Sequence, residues 1–386
     1  MAQTPRKLFE EVGDEKRKAD TPRAGAIDAK RRGARGAIRI WLMLIFALVA
    51  AMIVIGGLTR LTDSGLSITE WQPISGALPP MNEADWVTLF DKYKATPEYQ
   101  LQNSGMSMID FQFIFWWEWG HRLLGRVIGA VWAIGFLGFL VTRNIPTGWT
   151  KRLLLLGVLG GLQGAIGWWM VHSGLDSTAQ EIGRTDVASY RLATHLGLAF
   201  VIFGFTAWCI FLLGRTESDL MQSRRNANKK LFSMSTGVLH FAFLQILIGA
   251  LVAGIDAGRA FPTWPMMGDG FFPPDPFQLS PVWRNFFEDA GLVQFMHRMA
   301  GYLLFIFGIV VYLRARRSSN KYIRRAFTAM ILMMLAQVVL GIVTALQSAH
   351  LHIAITHQIG AIVLWVLILR ARYLSAYPKS QSIREA

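Results

Sequence analysis

The chain has 386 residues, 53% of them hydrophobic and only 17% charged, and it carries a net charge of +14. Apolar runs of about 20 residues, the length that crosses a bilayer, recur along it and exclude an ordinary soluble domain. The single cysteine excludes an internal disulfide and a thiolate metal cluster.

Residues 1–39 are basic but interspersed with Glu10, Glu11, Asp14, Glu15, Asp20 and Asp28. That mixture predicts a polar, disordered tail; it does not suit an acid-poor mitochondrial presequence or a cleavable signal. Spanning helices are predicted near 40–58, 112–142, 151–171, 190–213, 231–254, 292–313, 326–346 and 353–373. Lys and Arg gather in alternate segments: eleven in 1–40, three in 143–152, five in 214–230, six in 314–325 and four from Arg370 onward. The intervening loops are acidic or neutral; residues 59–111 hold three basic and seven acidic side chains. This is a membrane-topology pattern and not a nucleic-acid footprint. It predicts cytoplasmic termini, with loops 59–111, 172–189 and 255–291 outside a bacterial inner membrane.

The chain repeats itself. Residues 53–80 align without gaps on 246–273, with identities at Ile53/Ile246, Gly56/Gly249, Leu58/Leu251, Asp63/Asp256, Gly65/Gly258, Trp71/Trp264 and Pro80/Pro273. His121 matches His297 after a further 17-residue difference, so the first outer loop is longer. Thr194-His195 matches Thr356-His357, and a Gln-x-x-x-Gly element recurs at Gln163/Gly167, Gln245/Gly249 and Gln337/Gly341. The expected fold is an all-α polytopic membrane protein of eight helices, built as two tandem pseudo-symmetric four-helix bundles. The bundles would cover 40–214 and 231–374, joined by a cytoplasmic linker, 215–230, and followed by a tail, 375–386.

Four of the eight histidines define candidate sites. His121, His195, His297 and His357 begin the second, fourth, sixth and eighth predicted spans, at similar depth near the outer surface and beside an aromatic belt that includes Trp116, Trp117, Trp119 and Tyr190. Even-numbered helices can face each other across a bundle, so two imidazoles per unit can ligate one haem iron from opposite sides. The alternative, interhelical hydrogen bonding by each His, is weaker for four at matched depth; zinc lacks a completing Cys or carboxylate. Gly125, Gly197, Gly301 and Gly360, just beyond these histidines, would leave room for a macrocycle. Arg122 and Arg298 follow two of them and suit either the propionates of a haem or the lipid headgroups. His240 reads as a packing residue, and His172, His350 and His352 as groups at outer helix ends.

One difference separates the halves. Glu118 lies one turn outward of His121, and the matching residue before His297 is Gln294. A carboxylate near the membrane is costly, and partial burial there suits a group that exchanges protons at the edge of a bound haem.

With these residues in place, the sequence resembles the heme A synthase family from about residue 40 onward. The resemblance is carried by the eight spans, the duplication, Gly56-Gly57-Leu58-Thr59-Arg60-Leu61-Thr62 with Ser64-Gly65-Leu66-Ser67, Glu118-x-x-His121, and the His195, His297 and His357 helices. It implies oxidation of a methyl group of heme O to a formyl group, giving heme A for cytochrome c oxidase. It implies His121 and His195 as ligands of the substrate heme O, Glu118 as the catalytic carboxylate, and His297 and His357 as iron ligands of a resident heme b cofactor. The absence of paired outer-loop cysteines resembles the alphaproteobacterial and mitochondrial branch. Heme O synthase and cytochrome c oxidase assembly factors are the partners the resemblance implies; self-association stays open. Two other readings compete: a di-haem b-type electron carrier acting on quinol, which has no use for a carboxylate on one side only, and a haem transporter or assembly scaffold, which would release haem unaltered.

Overall fold

The computed structural model describes residues 34–176 and 184–381. Residues 1–33 and 382–386, and with them most of the expected tails, lie outside that set. Eight long helices carry the chain: α1 (Arg35–Leu61), α2 (Met108–Val141), α3 (Thr150–His172), α4 (Ser189–Leu213), α5 (Lys229–Gly254), α6 (Ala290–Ala315), α7 (Lys321–Leu346) and α8 (Leu351–Ala376). Each is long and apolar enough to cross a bilayer, and the protein is a multi-pass, all-helical membrane protein. Local chemistry sets several starts. Ser107 and Asp110 form a reciprocal capping box at α2, and the side chains of Asn228, Asp289 and Asn320 accept from the first-turn amides of α5, α6 and α7.

In the first half α1 packs on α2 and α4, and α3 packs on the same two helices, so α2 and α4 stand diagonally opposite. In the second half α5 and α7 hold α6 and α8 in the same relation. This is compatible with two fused four-helix units. Glycines let bulky rings through: Trp41 lies against Gly135 and donates to the Val131 carbonyl at 2.9 Å, and Trp132 lies against Gly157 and donates to the Leu153 carbonyl at 3.0 Å. The halves meet along α4–α5 and α1–α8. The core occupies that seam, with Leu42, Ile45 and Val49 of α1, Phe200 and Phe203 of α4, Val238 and Ala242 of α5 and Trp365 and Ile368 of α8. Phe46 stacks on Phe203 at 4.3 Å. Helices α2, α3, α6 and α7 instead expose large apolar side chains such as Ile134, Leu162, Ile306 and Leu332, which is stable only against lipid tails.

The end bearing the loops after α1, α3, α5 and α7 is here called the outer end. The first outer loop folds into the helices Glu83–Lys94 and Pro97–Leu101, capped by Asn82 and Thr96. They pack Phe90 and Tyr93 onto Phe111, Ile114 and Phe115 of α2. The 215–230 linker likewise holds a short helix, Glu217–Arg225.

The duplicated aspartates have a structural reason. Asp63 and Asp256 take left-handed backbone conformations, with φ of 48° and 51°, just past α1 and α5, a region that Asp tolerates better than most residues. Arg60, mostly buried, binds Asp63 at 2.6 Å, Asp256 at 2.9 Å and Asp186 at 3.5 Å. One guanidinium thereby ties three outer loops from both halves together.

Candidate haem-binding sites

The four candidate histidines project from α2, α4, α6 and α8, at 18 to 20 residues from the inner end of each helix. At 1.5 Å per residue that is about 27–30 Å, one apolar bilayer thickness, so the matched depth expected from the sequence holds in the structure. His121 lies within electrostatic range of His195, and His297 within range of His357.

Each imidazole rests on a glycine of the odd-numbered helix that precedes it. A Cβ added at Gly56, Gly167, Gly249 or Gly341 would meet Cε1 of His121, His195, His297 or His357 at 2.9, 2.8, 3.0 and 3.3 Å, respectively. All four glycines sit five residues before the outer end of α1, α3, α5 or α7. The cradle is therefore one local solution used four times. Any larger residue would push the ring off its seat, because ordinary carbon–carbon contact lies near 3.5–4.0 Å.

The recurring glutamines complete the seat. Gln163 and Gln245, one turn inward of Gly167 and Gly249, each donate to the backbone carbonyl of the facing histidine at 3.0 Å. Gln163 Nε2 is 3.1 and 3.2 Å from the two ring nitrogens of His195, and Gln245 Nε2 is 3.1 and 3.3 Å from those of His297. Near-equal distances place the amide over the ring face and leave the in-plane nitrogen lone pairs open. Gln337 packs against Gly360, and at the fourth position Met52 replaces glutamine, with its methyl 3.6 Å from the Cβ position of Gly125.

These seats fit a tetrapyrrole. The imidazoles are half-buried and not sealed in the core. Nδ1 of both His121 and His357 is buried without a hydrogen-bond partner, and paired imidazoles are a donor set suited to haem iron.

Other expected groups serve elsewhere. Gly301 and Gly360 face the side chains of Gln245 and Gln337, and Gly197 packs against Leu247 and Phe243 of α5; Gly125 is exposed, with only the Met52 methyl in contact. The glycines that seat the imidazoles are those on the facing helices. The guanidinium groups, which suit either propionates or lipid headgroups, donate to protein acceptors in the outer loops. Arg122 donates to the Ile68 carbonyl at 2.7 Å and the Glu70 carbonyl at 3.0 Å, and Arg298 donates to the Phe261 carbonyl at 2.9 Å and the Met266 carbonyl at 3.2 Å. Ile68 and Phe261 are repeat equivalents, so each arginine pins the same point of its outer loop.

Glu118 is 3% exposed, well beyond the partial burial expected of it. Its Oε1 accepts from Arg122 at 2.6 and 3.1 Å, and its Oε2 accepts from Ser67 Oγ at 2.7 Å and the Ile68 amide at 2.8 Å. The Ser67 and Ile68 contacts hold the Ser64–Ile68 turn over the His121 helix directly, and Arg122, on the same helix as Glu118, adds its own bond to the Ile68 carbonyl. Gln294 reaches only the Phe261 carbonyl, at 3.3 Å, and leaves its own oxygen unpartnered. Of the remaining histidines, His240 bonds the Thr236 carbonyl at 2.8 Å, His172 lies 3.6 Å from Asp176, and the His350 and His352 rings are 5.4 Å apart at the outer start of α8.

The comparisons with known proteins agree with this architecture. Residues 39–369 match the cytochrome oxidase assembly protein family (COX15-CtaA). The chain is 64% identical to a protein of Ruegeria sp. named heme A synthase, over 98% of this chain and 99% of that one. It is 57% identical to a heme A synthase of Paracoccus denitrificans, over 100% and 99% of the two chains, and 56% identical to one of Cereibacter sphaeroides, over 100% and 99%. The chain belongs to the COX15-CtaA family of cytochrome oxidase assembly proteins.

Proposed function

We propose that this chain is a heme A synthase, an oxidoreductase that converts a methyl group of heme O to a formyl group and so supplies heme A for cytochrome c oxidase. The observation that carries this reading is the fourfold imidazole-on-glycine seat, repeated in both halves, with a fully engaged carboxylate over only one of them. Under it, the 40–214 bundle takes heme O between His121 and His195. The 231–374 bundle holds heme b between His297 and His357. Heme b, when bound, supplies one-electron redox chemistry beside the substrate.

The residues have distinct tasks. The glycine seats fix the four rings in depth, and the glutamines over His195 and His297 fix their tilt. His121 and His195 would hold heme O through its iron, which would leave the methyl group at its periphery as the place of reaction. Glu118 meets four donors, so its lone pairs are spent on Arg122, Ser67 and Ile68; this favours a positioning role, in which the carboxylate holds the outer turn closed over the substrate edge and keeps bulk water out. The charge pattern supports an inner-membrane protein with both sites near the periplasmic face. Heme O synthase and oxidase assembly factors are the partners this places upstream and downstream.

Purified protein supplied with heme O and an electron acceptor, followed by pigment extraction, tests the proposal. Heme A or its hydroxylated precursor is expected. Recovery of unaltered heme O would instead favour a carrier or scaffold.

A further inference from the structure

The opening stretch of the first outer loop is laid down along α2. Arg122 holds its Ile68 and Glu70 carbonyls. Arg126, one turn further in, donates to the Gln72 carbonyl at 2.8 Å and the Pro73 carbonyl at 2.9 Å. Gly76 lies against the same guanidinium, and a Cβ there would meet Arg126 Nη2 at 2.8 Å. Between these ties Trp71 meets Trp168 of α3 edge-on, with ring centroids 5.2 Å apart. Trp168 follows Gly167, the seat of His195. Residues 68–77 therefore form a strap that crosses from the helix bearing His121 to the helix seating His195.

Depth decides what the strap faces. Arg126 is 15 residues from Val141, the inner end of α2, or about 22 Å. Its side chain leans toward the helix start, which here is outward. The strap thus reaches into the outer part of an apolar layer about 30 Å thick. Residues 71–75 are all exposed, and Trp71, Ile74 and Leu78 present apolar surface. At that depth such surface is stable against acyl chains and not against water.

The second half has a matching strap and fastens it differently. In the gap-free repeat Trp264 matches Trp71 and Met267 matches Ile74. Ile74 is 86% exposed, whereas Met267 is 1% exposed and plugs its strap into the protein. The Met267 amide donates to the Gly270 carbonyl at 2.6 Å. Thr263 Oγ1 donates to the Met266 carbonyl at 2.9 Å and accepts from the Gly268 amide at 3.1 Å. Tyr302, in the place of Arg126, accepts from Trp264 Nε1 at 2.7 Å. The first strap buries no side chain between residues 69 and 77. It is tied to the helices by backbone carbonyls on two arginines and by one ring contact. Segments with few buried contacts open locally at low cost.

We propose that residues 68–77 are a lipid-facing hatch of the N-terminal site, latched by Arg126, through which an apolar tetrapyrrole passes between the outer leaflet and the His121–His195 pair. The inference rests on the assignment of that half to heme O. It explains why the half assigned an exchangeable ligand has the loosely tied strap and the half assigned a resident cofactor has the plugged one. Arg126 is a positioning residue in this account, and the bilayer is the source of the substrate.

Full-length protein in phosphatidylcholine vesicles, in a Cys209→Ser background, tests the hatch. A nitroxide on the Ile74→Cys variant should be relaxed more strongly by oxygen, which partitions into lipid, than by an aqueous nickel chelate. One on Met267→Cys should be shielded from both. The Trp71→Cys, Trp168→Cys double variant is then bridged with a short photocleavable thiol reagent. Uptake of heme O from the vesicles, followed as a rise in low-spin haem, should stop while the bridge is intact and resume after cleavage. Arg126→Gln should speed both uptake and release about tenfold, the order of one lost charge-assisted hydrogen bond, with affinity unchanged. Equal uptake in bridged and cleaved protein overturns the proposal. So does a nitroxide at position 74 that the nickel chelate reaches more readily than oxygen, or unchanged exchange rates in Arg126→Gln. Uptake that obeys the bridge but yields no formyl product would sink the functional reading and leave the hatch standing.

Discussion

Replacing Glu118 by glutamine tests how the outer turn is held. The carboxylate accepts two hydrogen bonds from Arg122 and one each from Ser67 and the Ile68 amide. Glutamine has a single acceptor oxygen. If that oxygen stays on Arg122, the amide group faces the Ile68 N–H, donor against donor; if it flips, Arg122 loses both contacts. An orphaned buried N–H costs about 1–3 kcal/mol, and removing one partner of a buried ion pair costs about 3–5 kcal/mol. Arg122 retains the Ile68 and Glu70 carbonyls, which places the expected loss near the lower end, about 3 kcal/mol. Because about 1.4 kcal/mol is tenfold in an equilibrium, amide hydrogen exchange around Ile68 should accelerate about 100-fold. Haem content should persist, because neither His121 nor His195 bonds to Glu118, and formyl product should drop with the loosened turn. Unchanged protection at Ile68 together with a large loss of product would refute the clamp and make Glu118 a direct participant in the chemistry.

The glycine seats predict a graded series. Alanine at Gly167 or Gly56, where a Cβ would come within 2.8 and 2.9 Å of an imidazole carbon, should disturb haem in the N-terminal site most. Alanine at Gly341, at 3.3 Å, should be the mildest change, and overpacking of this kind costs about 1–3 kcal/mol. Haem affinity and the low-spin fraction of each variant measure the order; equal effects at all four positions would contradict the seat. Arg60→Met leaves Asp63, Asp186 and Asp256 facing one another, and a thermal scan in detergent should show lower stability that adding Asp256→Asn partly restores.

Much of this was legible in the sequence because membranes impose a long, one-dimensional signal. Eight apolar runs each needed about 20 residues, and all eight helices appear with ends extended by a few residues. The duplication was equally plain: Gly56/Gly249 and the Gln-x-x-x-Gly elements stand out in the alignment, as do Asp63 and Asp256. Their purpose was not visible. Glycines two to four residues beyond a histidine on its own helix drew attention, whereas the glycines that seat the imidazoles lie on the neighbouring helix, and one-chain periodicity does not show which residues face each other. Arginine beside histidine suited either an anionic ligand or the lipid headgroups; that backbone carbonyls of the folded-back loop also accept from the guanidinium was not visible. The burial of Glu98 in the first outer loop carried no signal: Thr-Pro-Glu reads as a capped helix start with a solvated acid, yet its side chain is buried in the fold.

The account's central claim is that two imidazoles in each half grip one tetrapyrrole. Absorption and electron paramagnetic resonance spectra of the protein purified from haem-replete cells, wild type beside His297→Ala and His121→Ala, test it most directly. A six-coordinate, low-spin b-type signal should be present in the wild type, kept in His121→Ala and lost in His297→Ala. A colourless wild type, or the same signal in both variants, would contradict the claim.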